Sequence, residues 1–146
     1  MSASRLVLCM AVGLGSALGA LSRYGTTSLM AELWGGDLLA TAFVNIAGSF
    51  IIALYAVLTD SRGPFPMGEV SRQFVMAGFC GGYTTRSLMS WETFMIILDH
   101  HACRGAAYVS GVVAMSLLAA ACGYRLGRRF SRPTPPAAVE ECRALS

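Results

Sequence analysis

Three ionisable residues, Arg23, Arg86 and Glu92, sit inside stretches otherwise apolar enough to enter a bilayer. A charge at mid-membrane costs a few kcal/mol or more on insertion scales (about 2.5–3.5 for Arg or Asp), so such groups normally face a partner or a water-filled path. Arg86 and Glu92 are six residues apart, too far round a helix to pair directly, so each needs a partner elsewhere. Arg23 lies close enough to the end of its apolar stretch to snorkel. Asn45 adds a mid-membrane amide with two donors, suited to meeting a dehydrated anion. Thr41, Asn45 and Ser49 recur every four residues and fall on one helix face, a polar stripe that either binds or glues helices together. Tyr108, Val112 and Ser116 form a weaker stripe of the same kind. Together these residues point to handling of a small ion rather than to bond-breaking chemistry.

Composition determines what must hold these groups. The chain has 146 residues, 55% of them hydrophobic and 13% charged, whereas soluble domains carry about 25% charged residues. A span needs roughly 20 apolar residues, and four such stretches can be drawn: 6–30, 38–58, 74–98 and 106–124. The expected fold is therefore an all-α integral membrane domain over residues 1–130, with four transmembrane helices. Gly35-Gly36-Asp37, the Asp60–Pro64 segment and the His100–Gly105 segment are turn-forming connections, short enough to make consecutive helices antiparallel. The first stretch resembles a signal peptide only superficially, since Arg23, Tyr24, Thr26 and Thr27 are followed by further apolar residues. Residues 131–146 are Pro-rich and polar, and are expected to be a disordered tail.

The third stretch contains G-F-C-G-G-Y-T-T-R-S-L-M-S-W-E-T-F from Gly78 to Phe94. In hydrocarbon a Gly-Gly helix break survives only where protein or water shields the freed backbone groups, so a break at Gly81-Gly82 marks a candidate functional site. Gly15 and Gly19 form a G-x-x-x-G spacing for close helix contact. Cys9, Cys80, Cys103, Cys122 and Cys142 show no paired spacing and read as small hydrophobes. Asp99, His100, His101 and Cys103 share one loop, which reads as a polar loop rather than a metal site. No ATP-binding or redox motif is present, which argues against a pump or membrane enzyme.

There is no lysine, and of eleven arginines eight (Arg5, Arg62, Arg72, Arg125, Arg128, Arg129, Arg132 and Arg143) lie at one membrane face if four spans exist. Only Arg104 lies at the other. The positive-inside rule then places both termini in the cytoplasm of a cell-membrane protein.

Three segments in order, G-S-A-L-G-A-L-S-R-Y at Gly15 to Tyr24, V-N-I-A-G-S-F at Val44 to Phe50 and the Gly78–Glu92 run, resemble the CrcB/Fluc family of fluoride channels. The resemblance covers nearly all of the chain except the tail. It implies an antiparallel, dual-topology dimer with two narrow pores and a structural sodium ion held by the backbone carbonyls of Gly81 and Thr84. It further implies pore roles for Asn45, Ser87, Glu92 and Tyr108. The chain departs from the family pattern at four pore positions. Arg86 and Met89 stand where the family has phenylalanines, and Leu88 and Val112 stand where it has hydroxyls.

The expected function is a passive fluoride channel subunit that lowers cytoplasmic fluoride. An alternative is a non-conducting structural subunit, because the arginine bias suits one fixed orientation and pairing with an oppositely oriented paralogue rather than a homodimer. Arg86 offers a further alternative, since a guanidinium attracts anions without selecting their size. A small multidrug exporter, also four spans, would be expected to carry a carboxylate in its first span, where only Arg23 is found.

Overall fold

A computed structural model describes residues 3–34, 36–60 and 63–131. The expected tail over 131–146, with Arg132, Cys142 and Arg143, lies outside the described residues except for Ser131, as does Arg62.

Three helices are long and apolar enough to cross a membrane. They are α1 (Ala3–Trp34), α2 (Asp37–Leu58) and α6 (Ala102–Phe130). At a rise of about 1.5 Å per residue, each matches or exceeds the roughly 30 Å hydrocarbon layer. Alanine and leucine are their most frequent residues, both good helix formers. Helix α2 stops at Thr59, whose N–H and hydroxyl both donate to the Tyr55 carbonyl, at 3.0 and 2.7 Å.

Residues 69–98 form an interrupted segment instead of a continuous third span. Helix α3 (Glu69–Gln73) runs into a π-helical stretch (Phe74–Cys80), then α4 (Gly81–Tyr83), and helix resumes as α5 (Arg86–Leu98). The break lies at Thr84 (φ −78°, ψ 153°) and Thr85 (φ −143°, ψ 110°), both extended. It is thus displaced from the expected Gly81-Gly82, since Gly81 remains right-handed helical (φ −63°, ψ −37°). Gly82 serves a different purpose: a Cβ there would collide with the backbone of Ser16 on α1. Its lack of a side chain allows two helices to touch.

The same logic explains the G-x-x-x-G spacing. Gly15 abuts Phe74 and Gly78, and Gly19 abuts Phe79 and Tyr83, in each case through backbone atoms. Ser16 Oγ donates to the Gly78 carbonyl at 3.4 Å. Residue numbers rise together on both sides, so α1 and the 74–83 stretch run parallel. Gly123 against Phe50 and Gly127 against Val57 place α2 and α6 in parallel register too. Helix α5 runs antiparallel to both, with Gly105 against Ile97 and Thr93 and Thr41 against Glu92.

The fully enclosed core is small and partly polar: Ala40, Val44, Cys80, Tyr83 and Val112 are buried beside Thr41, Asn45, Thr59 and Thr85. Large apolar side chains such as Leu14, Leu18 and Leu21 on α1, or Leu117 and Leu118 on α6, point outward. In a chain of bilayer-spanning helices, such side chains suit contact with lipid or another helix.

Candidate functional site around the helix break

Breaking a helix frees backbone donors and acceptors, and in an apolar bundle each must find a partner. Asn45 supplies them at the Thr84–Thr85 break. Its Oδ1 accepts from the Thr85 N–H at 2.9 Å, while Nδ2 donates to the Thr85 carbonyl and to the Thr41 carbonyl, both at 3.0 Å. The Asn45 amide therefore pairs with Thr85 as a neighbouring strand would, with Asn45 only 7% and Thr85 only 4% exposed. Both amide donors are spent on carbonyls in this arrangement.

Thr85 has a second function. Its Oγ1 accepts from the Leu88 N–H at 3.3 Å and so caps the restarting helix α5. Threonine is a favoured N-cap, so Thr85-Arg86-Ser87-Leu88 carries the signal of a helix start, whereas Gly81-Gly82 signals only conformational freedom. Thr84 turns inward locally, with Oγ1 donating to the Cys80 carbonyl at 3.0 Å. Gly81 is exposed, with open space where a Cβ would project.

Glu92 finds its partners on two other helices. Thr41 Oγ1 donates to Oε1 at 2.6 Å and the Tyr108 hydroxyl lies 2.7 Å from Oε2. Tyr108 also reaches the Leu38 carbonyl at 3.2 Å. Helices α2, α5 and α6 are thereby tied through one carboxyl group, whose partners are hydroxyls. One turn along α2, Ser49 Oγ donates to the Asn45 carbonyl at 2.8 Å. The stripe expected on α2 is therefore a chain of satisfied groups leading from Glu92 to the break.

Two recesses flank that break. A cavity of about 230 Å³ between α2, α5 and α6 is lined by Asn45, Ser49, Thr84, Arg86, Met89, Val112 and Ser116 together with apolar residues of α6. A groove of about 490 Å³ between α1 and α5 is lined by Arg23, Tyr24, Thr27, Thr85, Ser87, Leu88 and Trp91. The structure thus brings Asn45, Arg86, Met89 and Val112 together and sends Ser87 and Leu88 to the opposite side. Consecutive residues of α5 diverge by about 100°, so Arg86 and Ser87 cannot share one wall.

Residues 10–124 match the family model described as CrcB-like protein, Camphor Resistance (CrcB). The chain belongs to this family. Among similar CrcB-like proteins, Fluoride-specific ion channel FluC 3 of Brucella abortus biovar 1 is 43% identical over 131 residues, covering 89% of this chain and 96% of that protein. Fluoride-specific ion channel FluC of Methylobacterium radiotolerans is 39% identical over 121 residues, covering 80% and 81% respectively. A third, Fluoride-specific ion channel FluC of Opitutus terrae, is 36% identical over 114 residues, covering 77% and 86%. The CrcB-like match contains every residue of the break, of the Glu92 cluster and of both recesses.

Proposed function

We propose that this chain is a subunit of a passive fluoride channel in a cell membrane. The observation that carries the reading is the helix break that Asn45 holds open beside a mostly apolar cavity that carries Ser49, Thr84, Arg86 and Ser116, in a chain whose relatives are named fluoride-specific ion channels. Fluoride is small and strongly hydrated, so a pore has to replace its water with hydroxyl and N–H donors along a narrow path. In this reading Asn45, Glu92 and Tyr108 serve the path on the cavity side of the break and Ser87 the groove on its other side, with Glu92 as a positioning group for the Thr41 and Tyr108 hydroxyls. Passive flow would relieve the cytoplasm when neutral HF enters from an acid exterior and dissociates inside.

The interrupted 69–98 segment is read as a fourth crossing, because it lies alongside α1 in parallel register and connects α2 to α6. Both termini then lie on the cytoplasmic side with Arg5, Arg72, Arg125, Arg128 and Arg129, opposite Arg104. The exposed apolar faces suit an antiparallel dimer.

A structural sodium ion fits the break chemically. The Thr85 N–H, which a continued helix would aim at the Gly81 carbonyl, goes to Asn45 instead, leaving carbonyl oxygens at the end of α4 of the kind a hard cation prefers. Gly81 and Thr84 would hold it through their backbone carbonyls, and the ion would supply a fixed positive charge at the break.

One observation favours a second reading, a non-conducting subunit paired with an oppositely oriented paralogue. The cavity beside Asn45 carries Arg86 and Met89, and the Asn45 donors are already spent. Fluoride efflux from liposomes containing this chain alone separates the two. Efflux supports the channel; silence that is relieved by adding the paralogue supports the structural partner. The Arg86→Phe and Met89→Phe double variant is expected to raise fluoride over chloride flux, and unchanged fluxes of both would mean that these side chains face no conducting path.

A further inference from the structure

The donors around the α2–α5–α6 cavity can be accounted for one by one. Asn45 gives both amide protons to the Thr41 and Thr85 carbonyls, Ser49 gives its hydroxyl proton to the Asn45 carbonyl, and Thr84 gives its own to the Cys80 carbonyl. Two side chains of the lining remain. The Arg86 guanidinium and the Ser116 hydroxyl have no hydrogen-bond partner among the described residues. The remaining lining residues, Met89, Val112, Val113, Leu117 and Ala120, are apolar.

From these observations we infer that the cavity binds a small planar oxyanion, of the formate, bicarbonate or nitrate kind, on Arg86 and Ser116. Depth supplies the first argument. Arg86 is exposed and Ser116 half-buried, at a partly open recess that lies against Asn45–Ser49 of α2 and Val112–Ala120 of α6, the middle of both membrane-length helices, where an unpaired guanidinium is costly. Glu92 does not neutralise it: no ion pair joins the two among the described residues, and the Glu92 oxygens turn to Thr41 and Tyr108. Geometry supplies the second. A guanidinium presents parallel N–H donors in a rigid fork that matches two oxygens of one planar anion, and it offers no such match to a monatomic halide. Ser116 adds one neutral donor. Size agrees: at about 30 Å³ per water, roughly 230 Å³ holds a three- or four-atom ion with some water. Fluoride, by contrast, needs several short donors converging on one point. The inference shares this cavity with the channel reading but requires only binding, so the two fail separately.

The test uses the full chain in lipid nanodiscs, titrated with ¹³C-labelled formate at constant ionic strength while the formate NMR line width is read. A saturable broadening is expected, displaced by nitrate in preference to chloride or fluoride. Arg86→Gln should weaken it roughly tenfold or more, as expected for loss of charged hydrogen bonds. Ser116→Ala, which removes one small hydroxyl and is the safer variant for folding, should weaken it by about two- to fivefold. Arg86→Lys keeps the charge without the fork and should lose the preference for formate over chloride. No saturable signal would overturn the proposal, as it would if a partner subunit's carboxylate already neutralised Arg86. Binding unchanged in both Ser116→Ala and Arg86→Lys would overturn it equally. Fluoride efflux is measured in parallel: its absence would count against the channel reading and leave the binding result standing.

Discussion

Replacing Asn45 with alanine should loosen the helix break more than any nearby single truncation. The amide makes three hydrogen bonds, at 2.9, 3.0 and 3.0 Å, two of them to the backbone N–H and carbonyl of Thr85. Loss of the contact to Thr41 matters least, because that carbonyl also lies within α2 and keeps its helical partner. The Thr85 N–H and carbonyl are different: they lie in an extended stretch, in a residue only 4% exposed, with no helical partner to replace Asn45. An orphaned buried polar group costs about 1–3 kcal/mol, while polar contacts in membrane bundles average about 0.6 kcal/mol because the unfolded chain also finds partners. Weighing the two, Asn45→Ala should destabilise by about 2–4 kcal/mol. Asn45→Asp with a protonated carboxyl keeps an acceptor for the Thr85 N–H and one O–H donor in place of two N–H donors, so it should cost at most about half as much. Equilibrium unfolding in mixed detergent micelles gives the stabilities, and hydrogen exchange at the Thr85 amide gives the local effect. A loss below about 0.5 kcal/mol with unchanged Thr85 protection would refute the argument that Asn45 pins the break.

The glycines give a paired test. Gly19→Val should disrupt the α1 contact with Phe79 and Tyr83 and cost about 1–3 kcal/mol by overpacking, whereas Gly13→Ala, with nothing within 4 Å, should be neutral or stabilising by up to about 1 kcal/mol; unfolding midpoints check both, and equal effects would contradict the close backbone approach. For the Glu92 cluster, Tyr108→Phe and Thr41→Val should each cost about 0.6–1.7 kcal/mol and slow fluoride efflux, with the double variant costing measurably less than the sum. Strict additivity in that cycle would mean the two hydroxyls do not share the Glu92 carboxyl.

Much of this architecture could be read from residue order. Composition alone requires a membrane environment, because a chain 13% charged cannot clothe a soluble surface. Spacing of four puts Thr41, Asn45 and Ser49 on one face whatever they touch, and small residues at Gly15 and Gly19 make close helix contact possible. Each of these properties follows from local geometry, the 3.6-residue turn and the size of one side chain. Partners do not follow from it. Glu92 meets Thr41 across 51 residues and Tyr108 across 16, and Asn45 meets Thr85 across 40, so only the register of packed helices decides them. The break shows the division most clearly. Sequence placed an interruption near Gly81-Gly82, where the chain is conformationally freest. Tertiary structure used Gly82 for contact with α1, left Gly81 exposed, and put the interruption at Thr84–Thr85, because there Asn45 and the Thr85 hydroxyl can satisfy the backbone groups that a broken helix exposes.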